Sequence, residues 1–343
     1  MSIVCFTSLT LGYLPRARVL AETLRAAHPH WSLWAVLVDH PPPGYANRAA
    51  FAGFDRVLDM DDLSIERRWL FRHDLVEACT AVKGTMLRHL LALGAETVVY
   101  LDPDIAVFHP LASLGERLQS ASVLLTPHQT EPDVDAATIA DNERASLRYG
   151  TYNLGFLAVR NDATGNAFAD WWAARLHEAC FDAPEAGLFT DQKYCDAVPG
   201  LFDRVGIVRD PGWNVASWNL SQRRIRFGTD GGIAVNGSPL AFYHFTKHGG
   251  AGDIMTERYA GEAHEPHELW RWYCRRLAAH AEPGIPAGWW HFSSFSDGTK
   301  IPPAARLLAR NRPDVMAQFD DPFAAQGDSF LRWLRQNAPE MPP

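Results

Sequence analysis

Residues 96–108, ETVVYLDPDIAVF, restrict the fold more than any other stretch. Val98, Val99, Tyr100 and Leu101 read as a strand buried on both faces, and two carboxylates, Asp102 and Asp104, stand at its end. Upstream, Leu75, Cys79, Val82, Met86, Leu90 and Leu93 recur at spacings of three and four, which predicts one long helix leading into that strand. A helix feeding a buried strand is the unit of an α/β sheet. In extended chain, positions i and i+2 share a side. Asp102 and Asp104 are therefore expected to converge while Pro103 faces away, unless a turn breaks the alternation. Converging carboxylates repel, and burial sharpens the repulsion. A hard divalent cation relieves it and keeps positions open for diphosphate oxygens. Turn and cap chemistry accounts for Asp-Pro-Asp as well. The same form recurs at Asp59/Asp61, a rival after a shorter apolar run, and at Asp133/Asp135, where a predicted helix opens and acidic caps belong.

The rest of the chain alternates in the same way. Strands are predicted at Ile3–Thr7, Leu33–Val38, Val123–Leu125, Tyr152–Val159, Val205–Val208 and Leu240–Phe245. Helices are predicted over Tyr13–His28, with Pro15 in the first turn, and over Ala167–Ala179. After Gly249-Gly250 the composition turns to Trp, Pro and Arg, with helical patches near 265–280, 304–309 and 329–336. Residues 1–250 thus read as the α/β unit and 251–343 as a helical C-terminal extension. Lys300, Arg306, Arg310 and Arg312 form a basic run without an acid. Such a run is ordinarily a solvated helix face; peripheral contact with anionic lipid headgroups is the functional alternative.

With 343 residues, 47% of them hydrophobic, the chain can bury a large core as one big domain or two smaller ones. Lys+Arg 32 against Asp+Glu 40 gives −8, which withholds global electrostatic support from a nucleic-acid partner. The cysteines at 5, 79, 180, 195 and 274 form no CxxC pair or Cys/His metal spacing. That pattern favours a reducing compartment. The N-terminus lacks the marks of a secretory signal, and no run reaches the ~20 apolar residues of a span. A soluble, cytoplasmic protein is expected.

Three further segments set polar groups at strand ends. FYHFTKHGG, 242–250, brings His244, Lys247 and two glycines together, a combination suited to an anion and its metal. A single strand-end histidine is more often structural. YGTYNLGFLAVRN, 149–161, has Asn153 and Gly155 interrupting an apolar strand, as a bulge or close packing also requires. GLFTDQKYCDAVPGLF, 187–202, opens a short helix at Asp191-Gln192, where Asp191 can serve as an N-cap.

The order of these segments, strand–Asp-x-Asp, Asn-x-Gly strand, Asp-Gln, strand–His, resembles the GT-A glycosyltransferases over about Ile3 to Gly250. The resemblance is to the glycogenin-like and lipopolysaccharide galactosyltransferase-like enzymes and to bacterial polysaccharide-cluster glycosyltransferases. It implies a Rossmann-like mixed sheet flanked by helices and transfer of a sugar from a nucleotide-diphosphate sugar, a UDP-sugar in that family. The acceptor it implies is a glycan, glycolipid or protein, and residues 251–343 are expected to serve that acceptor or the membrane surface. It further implies that Asp102 and Asp104 bind a divalent cation, Asp102 also meeting the donor, with His244 as third ligand and Lys247 near the phosphates. Tyr13 matches an aromatic that stacks on the base, Thr7 and Ser8 the loop beside it, and Lys83 a basic residue reaching toward the donor. Asn153, Asp191 and Gln192 match donor-sugar contacts on the reacting face, and Asn214 and Trp218 the sugar pocket. Carboxylate and imidazole ligands together suit Mn²⁺, with Mg²⁺ as the alternative.

The resemblance implies retention of configuration, with Gln192 or Asp191 steadying the oxocarbenium charge. An inverting enzyme needs a carboxylate base, for which Asp191 is available. Two departures stand out: Phe-Thr-Lys-His-Gly-Gly follows His244 where the family has a glycine and then Lys-Pro-Trp, and Ser8-Leu9-Thr10 replaces acidic residues. A sugar nucleotidyltransferase would need a Gly-rich basic loop after the first strand, where SLTLGYLPR has one glycine. A catalytically silent glycan-binding homologue, using some of the twelve Trp as sugar platforms, is the non-enzyme alternative.

Overall fold

The computed structural model describes residues 2–45 and 48–338. In chain order the main strands are β1 (Ile3–Leu9), β2 (Ser32–Leu37), β3 (Arg56–Leu58), β4 (Thr97–Leu101), β5 (Ile105–Val107), β6 (Val123–Pro127) and β7 (Tyr152–Arg160). A seven-stranded sheet runs Val205–Ile207, β6, β7, β4, β1, β2, β3. β1 to β4 are mutually parallel where they pair, whereas β7 runs antiparallel to both β4 and β6. The expected mixed α/β sheet flanked by helices is therefore borne out.

β4 is buried along its whole length and serves two cores at once. Val99 and Leu101 pack with Leu20 and Leu24 of helix α1 (Leu14–Ala27), while Val98 and Tyr100 pack on the opposite side. That side is covered by α3 (Leu75–Ala92), which follows the short α2 (Arg67–Phe71), and by the helix Ala163–Ala179. Asp74 and Glu77 close a capping box at the start of α3. A Cβ on Gly84 would lie 2.6 Å from the Cα of Ala173, so glycine lets α3 approach the second helix closely. That helix begins at Ala163, earlier than its apolar pattern suggests, because Asp162 caps it through Gly165 N–H at 2.9 Å.

The residues after 250 are helical at Ala251–Ala260, His264–Ala279, Pro303–Asn311, Pro313–Met316 and Phe330–Asn337. Phe292, Phe295, Ala305 and Phe330 join the same apolar cluster as Phe71 and α3. The basic run is not a free lipid-facing stripe. Arg306 is buried and donates to the carbonyls of Phe71 (3.1 Å), His73 (2.6 Å) and Phe292 (2.5 Å). Arg310 donates to Arg72 O at 2.7 Å and pairs with Glu77, and Arg312 pairs with Asp314. The carbonyls left over at the α2–α3 junction pull two of these guanidinium groups inward, a demand that composition does not reveal. Among the described residues no helix is long and apolar enough to cross a membrane.

His73 sits at that junction, fully buried, with Nδ1–H donating to Trp69 O at 2.9 Å and Nε2 without a hydrogen-bond partner. Burial, reinforced by Arg72, pushes its pKa down to about 3. The unfolded chain, with an ordinary histidine pKa near 6.5, binds a proton that the folded chain refuses, so stability falls as pH drops below about 6.5. Between pH 7 and pH 5 the loss from this residue is about 2 kcal/mol. Denaturant unfolding of wild type and His73→Phe at both pH values is expected to give a shallower pH slope in the variant. Equal slopes would contradict the assignment.

Candidate active site

β4 ends at Leu101, and the chain does not continue extended. Ile105 N–H donates to Asp102 O at 3.1 Å, closing a tight turn with Pro103 at its second position, which proline favours. The two carboxylates therefore converge through a turn and not through strand alternation. Asp102 N–H is held by Gly155 O at 2.9 Å. β5 then pairs antiparallel with Phe242–His244, setting Ile105 opposite His244, and Phe245 N–H donates to Asp104 O at 2.9 Å. On the far side Ala216 pairs with His244.

This pairing brings His244 Nε2 to 3.0 Å from Asp104 Oδ1 and 3.5 Å from Asp102 Oδ2. One potential ligand atom from each of Asp102, Asp104 and His244 lies within 4.8 Å of the others, the single such group among the described residues. Asp104 and His244 are buried and Asp102 is partly exposed. His244 Nδ1 meets Asn153 Oδ1 at 3.2 Å, and that oxygen also accepts from Gly155 N–H and Asn214 Nδ2, both at 3.1 Å. An oxygen so occupied holds the proton on Nδ1 and turns Nε2 toward the carboxylates, as an outer partner does for a ligating imidazole. A Cβ on Gly155 would stand 2.5 Å from His244 Cε1, so the glycine in the Asn-x-Gly strand answers to this close approach. Burial opposes the imidazolium, but Asp104 and then Asp102 outweigh it and raise the His244 pKa. Burial likewise opposes the Asp104 carboxylate, and His244 more than offsets it. The donor set fits a hard or borderline divalent cation.

Behind this group lies a second charged layer. Lys83, buried on α3, places Nζ 2.8 Å from Asp191 Oδ2, 3.2 Å from Asp102 Oδ1 and 3.2 Å from Leu154 O. An ammonium has three protons, so Lys83 is spent on the protein and does not reach outward as expected. Burial works against its charge, yet Asp102 and Asp191 hold its pKa well above the usual value. Asp191 is not an N-cap: its carboxylate faces Lys83, and the short helix opens after Gln192 without a side-chain cap. Burial raises the Asp191 pKa, with Lys83 acting in opposition.

Most of the predicted residues share one cavity of about 740 Å³, whose walls include Ser8, Tyr13, Lys83, Asn153, Gln192, Trp218 and Lys247 beside the groups above. Thr7 and Asn214 do not line it; Thr7 is buried in β1, and Asn214 stands behind Asn153, also donating to Thr126 Oγ1 at 3.0 Å. Ser8 donates its only proton to Cys79 O at 2.7 Å, which leaves its lone pairs for a ligand. Lys247 has φ 51, just before Gly249 and Gly250. Tyr13 has the Arg16 guanidinium 4.5 Å from its ring centroid.

The sequence motifs do not include His128, Tyr100, Tyr149 and Phe189, all of which stand on the cavity wall. His128 follows β6, and its place after a strand end was the available signal, since open α/β sheets bind ligands there. Burial lowers its pKa to about 4, which keeps it neutral. The rival carboxylates are local: Asp59 Oδ1 accepts from Asp61 and Asp62 N–H at 2.9 and 3.0 Å, and Asp135 caps Ala137 and Thr138.

No protein-family model matches the chain. It is 33% identical over 178 residues to the uncharacterized protein YfnF of Bacillus subtilis and 28% identical over 175 residues to YfnD of the same bacterium. Each match takes in 50% of this chain and 57% and 53% of the relatives, so the chain spans about half the length of the curated relatives it matches. Among solved structures it is similar to the galactosyltransferase LgtC in complex with donor and acceptor sugar analogs, with a TM-score of 0.47 and 13% identity over 84% of this chain and 98% of that one. It is also similar to mouse xyloside xylosyltransferase 1 (TM-score 0.41, 12% identity, 72% and 97% covered). A third is the glycosyltransferase GlyE of Streptococcus pneumoniae (TM-score 0.42, 14% identity, 81% and 62% covered).

The role given to Gly155 is open to test by substitution. Gly155→Ala is expected to lose about 1–3 kcal/mol of stability through overpacking against His244 and Asn153. Gly115→Ala, with no heavy atom within 4 Å of the added carbon, is expected to be near neutral. Chemical denaturation of both variants checks this; equal effects would contradict it.

Proposed function

We propose that this chain is a metal-dependent GT-A glycosyltransferase that moves a sugar from a nucleotide-diphosphate sugar, a UDP-sugar by family resemblance, to a glycan, glycolipid or protein acceptor. The observation that carries the proposal is the convergence of Asp102, Asp104 and His244 on one point of the cavity that also holds Tyr13, Lys247 and Gln192. The three ligands would hold Mn²⁺ or Mg²⁺, whose charge offsets the negative charge growing on the leaving diphosphate.

The chain's own groups then divide the donor among them. Tyr13 offers a ring to the base and Ser8 accepts a hydroxyl or N–H beside it. Lys247 adds a positive charge on the phosphate side. Asn153 is held rigidly by its amide oxygen. Gln192 donates through Nε2 to Tyr149 O at 2.9 Å, which leaves the negative end of its amide dipole for the cavity. That end suits a developing oxocarbenium charge and favours attack from the leaving-group face, with retention. Asp191 is buried and ion-paired with Lys83, a poor position for the base that inversion needs. Beyond Gly250, Ala251, Gly252 and Met255 also line the cavity, and we assign them to the acceptor side.

The test is turnover, including slow donor hydrolysis, across a set of nucleotide sugars with Mn²⁺. Asp104→Asn is expected to lower it ~100-fold or more with the fold intact, since the amide keeps the shape and removes the charge. His244→Ala should act in the same direction. Asp61→Asn and Asp135→Asn should leave turnover close to wild type. Loss in Asp61→Asn without loss in Asp104→Asn would overturn the site.

A further inference from the structure

We infer that Tyr100 is a positioning residue for the cation site, its phenol fixing Asp102 so that one carboxylate oxygen is spent on the protein and the other is left for a cation. The inference rests on the reading of Asp102, Asp104 and His244 as one site. Tyr100 stands one residue before the end of β4, 1% exposed, with its ring packed edge-on against Phe6 at 4.9 Å between centroids. Phenylalanine would fill that space equally well, so the hydroxyl is the feature that packing leaves unexplained. A buried phenol without a partner is costly; this one donates to Asp102 Oδ1 at 2.5 Å, the short separation of a hydrogen bond to an anion.

Ser8 Oγ lies 3.2 Å from the phenol oxygen, but its single proton goes to Cys79 O, a carbonyl that only accepts. Ser8 therefore gives the phenol nothing, and the phenol proton has the Asp102 anion as its stronger acceptor. Oδ1 also meets Lys83 Nζ at 3.2 Å, and that ammonium lies 4.1 Å from the Tyr100 ring centroid. Two donors thus converge on Oδ1, whereas the contact of Oδ2 is His244 Nε2 at 3.5 Å. Without the phenol proton, the carboxylate is free to rotate and to turn both oxygens toward Lys83. The internal cation then competes with the bound one. With the proton in place, Oδ2 stays aimed at His244 and Asp104.

The experiment is a Mn²⁺ titration of the full chain, followed by electron paramagnetic resonance of the free ion, without nucleotide or sugar. It compares wild type, Tyr100→Phe and Asp104→Asn, alongside metal-free thermal unfolding. Removing an outer partner of a metal ligand costs 10–100-fold in affinity. Tyr100→Phe is expected to weaken Mn²⁺ binding about tenfold or more, with the metal-free unfolding midpoint close to wild type. Mn²⁺ affinity within about threefold of wild type in Tyr100→Phe, with binding lost in Asp104→Asn, would overturn the role of Tyr100 alone. Wild-type affinity in Asp104→Asn would overturn the cation site and this inference with it.

Discussion

Lys83 is a buried ammonium held between two carboxylates, Asp102 and Asp191, that belong to strand and loop segments far apart in the chain. Burying any of these charges alone would cost several kcal/mol, so they have to arrive together. α3 delivers Lys83, the end of β4 delivers Asp102, and the loop before the short helix at 193 delivers Asp191. Asp104 adds a third acid a few ångströms away. One lysine cannot balance three carboxylates, and His244 can contribute a charge only by holding a proton. The cavity is therefore short of positive charge at the point where Oδ2 of Asp102, Asp104 and His244 meet. A divalent cation suits that deficit, which is the physical core of the proposed function.

The surrounding fold makes the gathering possible. The Pro103 turn redirects the chain so that β5 can pair with Phe242–His244, and this pairing sets the distance of the imidazole from Asp104. Gly155 vacates the space into which that ring fits, and Gly84 lets α3 sit close enough to the Ala163–Ala179 helix to keep Lys83 out of water. The helices from Pro303 onward close the α3 side of the sheet, with Arg306 tying them to the α2–α3 junction. Positions remote from the cavity thus constrain the same few charges.

Most of the sheet was legible because its longer strands are largely apolar runs and its helices carry plain periodicity; β4, α3 and β7 fall where the pattern puts them, whereas the three-residue β3 is not among the predicted strands. The Asp102/Asp104 pair and His244 were legible as polar groups at strand ends. Direction was not. Whether Lys83 points at a ligand or at Asp191 depends on a contact between residues 108 positions apart, which no local pattern encodes. Arg306 reads as a solvated charge until the unpaired carbonyls of Phe71, His73 and Phe292 are placed around it. Tyr100 and His128 were hidden by their surroundings: a tyrosine within an apolar strand looks like core, although its hydroxyl always requires a partner. Thr7 and Asn214 show the converse: each lies close in sequence to a residue of the wall, yet neither lines the cavity.

The most direct test of the central claim is anomalous X-ray scattering at the manganese edge from crystals soaked with Mn²⁺ and a nucleoside diphosphate. The account predicts one strong peak at coordinating distance from Asp102, Asp104 and His244, touching the diphosphate. A diphosphate bound in the cavity without that peak, or manganese held instead at Asp59 and Asp61, would contradict it.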